Sequence, residues 1–239
     1  MQMNEKQIRS CLINHLSKKH DLSNTAFISE LFINNFSCRA DLVMANGQLS
    51  VFEIKSKFDT LERLPVQVEN YVSTFENVTV VCAEKHLDKV LKDYESAIGV
   101  WLIDDQGRFT VKRRSNRNKL AVTSWLTHLP VSELKNLLRM KGLQLKGNRE
   151  NLLEKVKINF SVMEVREFVL IYFKNRDEKI SKLKKTKQVS KLVKVNLLET
   201  PNEIELNQKF NSIDFHRMTV LPRKTKANPH PRPIPVRLR

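Results

Sequence analysis

The chain has 239 residues, 41 % of them hydrophobic, and its 42 Lys and Arg against 26 Asp and Glu give a formal charge of +16. That is enough apolar material for one large domain or two smaller ones, and no run of about 18 apolar residues is present to span a bilayer. The basic excess points to a polyanionic partner, because Lys and Arg on phosphates release condensed counterions; it names a partner class and no activity. Cys11, Cys38 and Cys82 are odd in number, far apart and set among apolar neighbours. They read as buried thiols of a reducing compartment, without disulfide or metal spacing. The N-terminus is amphipathic and lacks a signal-peptide apolar stretch, so a cytoplasmic location is expected.

In chain order, residues 4–19 keep a helical period with Ile8, Leu12 (or Cys11) and Leu16 on one face. Asp21 or Ser23-Asn24 offers a cap for a second helix through Phe36. The period then changes to two. Residues 39–44 and 49–55 flank Asn46-Gly47, a strong short-range hairpin signal. A helix is expected over 60–75, an apolar strand over 78–83, a helix over 84–94 and a strand over 98–103. Residues 104–107 turn the chain into a last strand over 109–113. The order α-α-β-β-α-β-α-β-β, a hairpin followed by crossovers, predicts an α/β fold with a mixed sheet flanked by helices.

The pattern breaks at the basic polar stretch 112–119, and residues 114–129 are expected to form a linker. Val131, Leu134, Leu137 and Leu138 then keep helical spacing, with Gly142 where a C-cap belongs and a second helix opening after Gly147. Residues 163–173 are apolar enough for one more packed helix. The rest is basic, and the end, from Asn228 to Arg239, is proline-rich and extended. The expected division is 1–113, an α/β domain; 114–129, a linker; 130–160, a small helical module; and 161–239, a basic helical segment and proline-rich tail.

Glu53-Ile-Lys55 follows Asp41 by twelve residues and precedes Gln67-Val-Glu-Asn-Tyr71 by twelve. With a two-residue turn at Asn46-Gly47, Asp41 faces Phe52 and Glu53 points to the other side of the sheet. With a three-residue loop, 46–48, Asp41 pairs with Glu53, and Lys55 lies two residues along the same face. The second register is expected. On it, Asp41 and Glu53 supply the hard oxygens that Mg²⁺ or Mn²⁺ prefers, leaving positions for water and a phosphate oxygen. Lys55 would hold or deprotonate the attacking water, or stabilise charge. The plain alternative is a solvated strand face with a cross-strand ion pair.

Asp41, Glu53-Ile-Lys55 and the Gln67-x-x-x-Tyr71 pair resemble the PD-(D/E)XK nuclease superfamily, in particular its RecB-like and lambda-exonuclease-like branches. The likeness covers roughly residues 5–113 and implies a restriction-endonuclease-like sheet and metal-dependent cleavage of DNA. Glu30, expected on the helix before the hairpin, matches the acidic residue that many members carry there, which often ligates metal. Gln67 and Tyr71, one turn apart on a helix face, would by resemblance position the DNA or the surroundings of Lys55. Ala40 stands where many members have proline. Tyr71 also fits a packing aromatic.

Residues 130–158 resemble a SAP motif, a short helical pair known for binding duplex DNA. Lys135, Arg139, Lys141, Lys146 and Arg149 would face phosphates, with backbone donors at the second helix N-terminus. The basic tail, including Lys182, Lys184, Lys185, Lys187, Lys191 and Lys194, would track phosphate without sequence choice. The expected protein is a Mg²⁺-dependent deoxyribonuclease that holds DNA through its SAP-like module and tail. A homodimer would let single active sites cut both strands, and the proline-rich end offers a place for a protein partner. The competing class is a non-catalytic nucleic-acid-binding protein using the same fold as a docking platform.

Overall fold

The computed structural model describes residues 3–33, 38–94 and 98–176. The tail expected over 177–239, with its lysine run and proline-rich end, lies outside the described residues. Six strands form one mixed sheet in sequential order: β1 (Ala26–Ile33), β2 (Cys38–Ala45), β3 (Leu49–Lys55), β4 (Asn77–Ala83), β5 (Gly99–Ile103) and β6 (Phe109–Arg113). The β1–β2–β3 meander is antiparallel, β3, β4 and β5 run parallel, and β6 returns antiparallel. Helix α2 (Leu64–Thr74) makes the β3-to-β4 crossover and α3 (Glu84–Asp93) the β4-to-β5 crossover.

Helix α1 (Glu5–Ser17) begins at a capping box, in which Asn4 and Gln7 exchange side-chain and backbone bonds. It covers one face of the sheet. Ile8, Leu12 and Leu16 pack there with Leu42, Met44, Phe52, Ile54, Val81 and Ile103. Fully burying each such side chain is worth about 1.5–3 kcal/mol. The other face holds the larger core, where Leu64, Val68, Tyr71 and Phe75 meet Val43, Val51, Val80 and Cys82.

The helix expected through Phe36 is instead strand β1. Its buried residues are Ala26 and Ile28, then Leu31 and Ile33. The alternation slips by one at Glu30, whose φ of 56° lies in the left-handed region. That slip makes the apolar spacing two, three, two, which imitates helical periodicity. Strand β2 slips at the same level: Cys38 and Ala40 face the larger core with Val43 and Ala45, while Leu42 and Met44 face α1. Asp41 sits at this double break.

The hairpin adopts the three-residue loop. Leu42 pairs with Phe52 and Ala45 with Leu49, while Asn46 N–H donates to Gln48 C=O around Gly47 at φ 85°. Asp41 is therefore next in register to face Glu53, one step beyond the last paired residues.

Residues 114–129 carry a short helix, α4 (Val122–Leu126), and Trp125, Leu126 and Leu129 are each 1 % exposed within the larger core. They join α5 (Val131–Met140), α6 (Arg149–Asn159) and helical residues 162–176 to the sheet in one apolar cluster. Glu76, 2 % exposed at the start of β4, ties this junction together. Its Oε1 accepts from Arg117 Nη2 at 2.5 Å and Arg166 Nε at 3.0 Å, and its Oε2 accepts from Leu49 N–H at 2.9 Å. Arg166 also donates to Gly47 C=O at the hairpin tip. Burial pushes the Glu76 carboxyl up, but Arg166, Leu49 N–H and Arg117 outweigh it and hold the group below its ordinary range.

A depressed carboxyl contributes stability that is present above its unfolded pKa, about 4.3, and is lost as pH falls through its folded value. Glu76→Gln is expected to cost about 2–4 kcal/mol at pH 7 in urea unfolding, because two guanidinium groups lose their counter-charge. Its stability should fall less than the wild type's when the pH is lowered below about 4.5.

Candidate functional site

Parallel strands in an open sheet leave a crevice at their carboxyl ends. Here the crevice lies beyond the end of β3 and beside the N-terminus of α2, as a cleft of about 470 Å³. Asp41, Glu53, Lys55 and Gln67 line it, together with Glu5, Cys38, Arg39, Asp59, Glu62 and Arg63.

Glu53 and Lys55 share a face of β3 because they are two residues apart, and that face meets α2. Both are nearly inaccessible, at 1 % and 4 %. Lys55 Nζ donates to Glu53 Oε1 and to Gln67 Oε1, each at 2.9 Å. The Tyr71 hydroxyl donates to Glu53 Oε2 at 2.7 Å and lies 3.0 Å from Arg39 C=O. Gln67 and Tyr71 thus reach the cluster from one face of α2, one on the lysine and one on the carboxylate. Tyr71 is at once a core residue, 0 % exposed, and a site residue. Burial first, and then the Glu53 carboxylate, raise its hydroxyl pKa, so it stays a neutral donor.

Asp41 completes the cluster from β2. Where the β2–β3 ladder ends, its Oδ2 accepts from Ile54 N–H at 2.8 Å, so the carboxylate takes a backbone partner's place. Burial and the neighbouring Glu53 push its carboxyl up to about 8. Cys38, beside Tyr71, is raised by burial and by the same two carboxylates, which makes its thiol an unreactive neighbour.

Glu30 stands apart from this group. It pairs with Arg9 at 2.7 Å and, more loosely, with Arg39 at 4.0 Å, and it is not among the residues lining the cleft. The acidic residue arriving from a preceding helix is Glu5, in the first turn of α1. Glu5 also pairs with Arg9. Only the position of the α1 N-terminus over the sheet end brings it there, and no motif spacing announces that. Asp59, Glu62 and Arg63, from the loop after Lys55, were equally silent in the sequence.

The five basic residues of the helical pair divide by environment. Arg149 donates to the carbonyls of Leu129 and Leu126, closing the end of α4. Lys141 is held by Glu164 at 2.7 Å and by Asn159 C=O, and it lies over the Phe160 ring. Arg139 and Lys146 are exposed and Lys135 is half-buried.

The fold and cleft define an α/β protein with a buried carboxylate–lysine cluster at the carboxyl end of a central parallel strand. The sequence pattern of the family described as Bacteriophage P4 protein cII matches residues 1–200, and the chain belongs to that family. Protein cII of Enterobacteria phage P4 is 38 % identical over 182 residues, spanning 73 % of this chain and 68 % of that protein. A solved structure of a protein of unknown function from Silicibacter pomeroyi covers 62 % of this chain and 100 % of that one, at 16 % identity and a TM-score of 0.38. No described helix is long and apolar enough to cross a membrane.

The raised Asp41 carboxyl has a sign that can be tested in the metal-free protein. Between pH about 4 and 8 the folded state keeps a proton that the unfolded chain has released, so stability falls as pH rises through that window. Asp41→Asn keeps an acceptor for Ile54 N–H and loses the charge. In EDTA it should be about 1–3 kcal/mol more stable than wild type at pH 8, with the difference vanishing toward pH 4. Thermal unfolding followed across that range decides it.

Proposed function

We propose that the chain is a metal-dependent nuclease that hydrolyses phosphodiester bonds in DNA, on a restriction-endonuclease-like form of the mixed sheet. The observation that carries this is the convergence of Asp41, Glu53 and Lys55 in one cleft, with Gln67 and Tyr71 holding the latter two from behind. A cross-strand ion pair on a solvated face would account for the charges, but not for their burial or for the two α2 side chains aimed at them.

Among the described residues no three His, Cys, Asp or Glu are grouped to hold a metal. Two carboxylates fit Mg²⁺ or Mn²⁺, which keep several waters and need only one or two protein ligands alongside substrate phosphate. Such an ion, held by Asp41 and Glu53, would polarise the phosphate and lower the pKa of a bound water. Two of the three Lys55 donors are engaged, one on Glu53 and one on Gln67, which orients the ammonium and leaves a donor for water or a phosphate oxygen. Tyr71 fixes the second oxygen of Glu53, so this carboxylate keeps its rotamer while the cleft exchanges solvent and substrate.

Incubation with linear and circular DNA in Mg²⁺, Mn²⁺ or EDTA should give products only with metal. Asp41→Asn, Glu53→Gln and Lys55→Met should each lower the rate at least about 100-fold while retaining binding in a gel shift. Undiminished cleavage in all three would remove the proposal. DNA that is shifted but never cut, with or without metal, would favour the docking-platform alternative.

The SAP-like pair is proposed to hold duplex DNA through Lys135, Arg139 and Lys146, while Lys141 and Arg149 maintain the unit itself. Replacing those three by Gln should weaken binding alike across sequences, and the salt slope should drop by about 0.9 for each phosphate no longer neutralised. An unchanged slope would show that DNA phosphates are held elsewhere on the protein.

A further inference from the structure

We propose that Phe58 is a base-stacking platform that gives the cleft an unpaired nucleic-acid strand as its substrate. The proposal rests on the nucleic-acid reading of the cleft and adds the form of nucleic acid that enters it. Phe58 lies three residues beyond Lys55 and next to Asp59, which lines the cleft, and it is 64 % exposed.

An exposed apolar side chain by itself means little. This one sits on a fixed turn. Ser56 N–H and Oγ both donate to Asp59 Oδ2, at 2.8 and 2.5 Å, and Phe58 N–H donates to Ser56 Oγ at 3.2 Å. The turn is anchored to α3 by Lys85 Nζ on Asp59 C=O and by the contact of His86 Nε2 with Ser56 C=O at 3.1 Å. Lys57 is tied to Asp105 at 2.7 Å. Both neighbours of Phe58 are therefore held, and the ring between them faces solvent in a defined place.

The surroundings match a nucleotide strand. Val66, 62 % exposed, is an apolar surface on the cleft wall itself, while Phe58 stands outside the lining, one residue from Asp59. Arg63 is exposed and makes no ion pair among the described residues, and Arg39, 44 % exposed at its side chain, has only the 4.0 Å contact to Glu30. Both guanidinium groups line the cleft and are available to phosphate. A volume of 470 Å³ falls within the range of about 300–1,000 Å³ for small-molecule sites, which gives room for a nucleotide or two. Away from the ends of a duplex, a base shows its π-face to an isolated ring only when it is outside the stack, as in a single strand or a flipped nucleotide.

The test uses the full chain in EDTA with a single-stranded DNA 12-mer or with a relaxed, covalently closed circular duplex, which has no ends. In the F58W variant, saturation with the single strand should quench the added indole, while the duplex should not. Wild type, with Trp101 and Trp125 alone, supplies the background. F58A should bind the single strand about ten-fold more weakly than wild type, since stacking on one aromatic is removed, with an unchanged melting temperature. Equal single-strand affinity in F58A, or F58W emission unmoved at saturation, overturns the proposal. Metal-dependent cleavage without quenching rejects stacking at Phe58 and leaves the nuclease proposal standing. Quenching in a protein that cuts nothing does the reverse.

Discussion

The Glu76 carboxylate is the group on which the rest of the molecule hangs. It sits where α2 hands over to β4, and it accepts hydrogen bonds from the hairpin strand, the segment after β6 and the helix at 162–176. Those segments are 27, 41 and 90 residues away in sequence. A buried carboxylate without partners would be strongly destabilising; with two guanidinium groups and a backbone N–H it fixes where each segment can lie. Because Arg166 also reaches Gly47, the helical part of the chain bears on the tip of the hairpin whose far ends carry Asp41 and Glu53.

That arrangement also explains which features were legible in the sequence. The hairpin loop, α2, β4, α3, β5 and β6 follow from local periodicity and turn residues, and each lies within a few residues of its expected span. Strand β1 did not, because a single residue at positive φ turned a two-residue alternation into a spacing that a helix would share. The segment at 114–129 looked like a linker because its polar residues, Arg117 and Asn118 among them, are polar for a structural reason. Arg117 neutralises Glu76, and Asn118 bonds to the carbonyls of Phe75 and Glu76. Partners so far apart in sequence leave no local signal.

The site divides along the same line. Asp41, Glu53 and Lys55 are linked by hairpin register, and Gln67 and Tyr71 by helical spacing, so sequence brings them together. Glu30 fails as a cleft residue because it was expected on a helix, whereas the strand directs it to Arg9 and Arg39. Glu5 and the loop residues after Lys55 enter only through the packing of α1 and the path of the chain into α2. Among the basic residues of α5 and α6, spacing could not separate those that close a helix end, such as Arg149, from those left exposed, such as Arg139 and Lys146.

Charge in the cleft follows from these positions. Asp41 and Glu53 are both buried, and Lys55 is the one cation bonded to either among the described residues. Arg39 and Arg63 lie at the more exposed rim. The inner cluster is therefore short of positive charge, and burial first, then the Glu53 charge, push the Asp41 carboxyl upward while the protein as a whole carries +16. Folding alone does not favour such a deficit, since an amide at position 41 could accept the same Ile54 N–H without it. On the proposed nuclease reading, a divalent cation would supply the missing charge, and a phosphate that followed it would meet arginines at the rim. On the same proposal, local negative charge inside a strongly basic chain would serve one substrate: the whole surface would draw a polyanion, and the cleft would draw the cation that accompanies it.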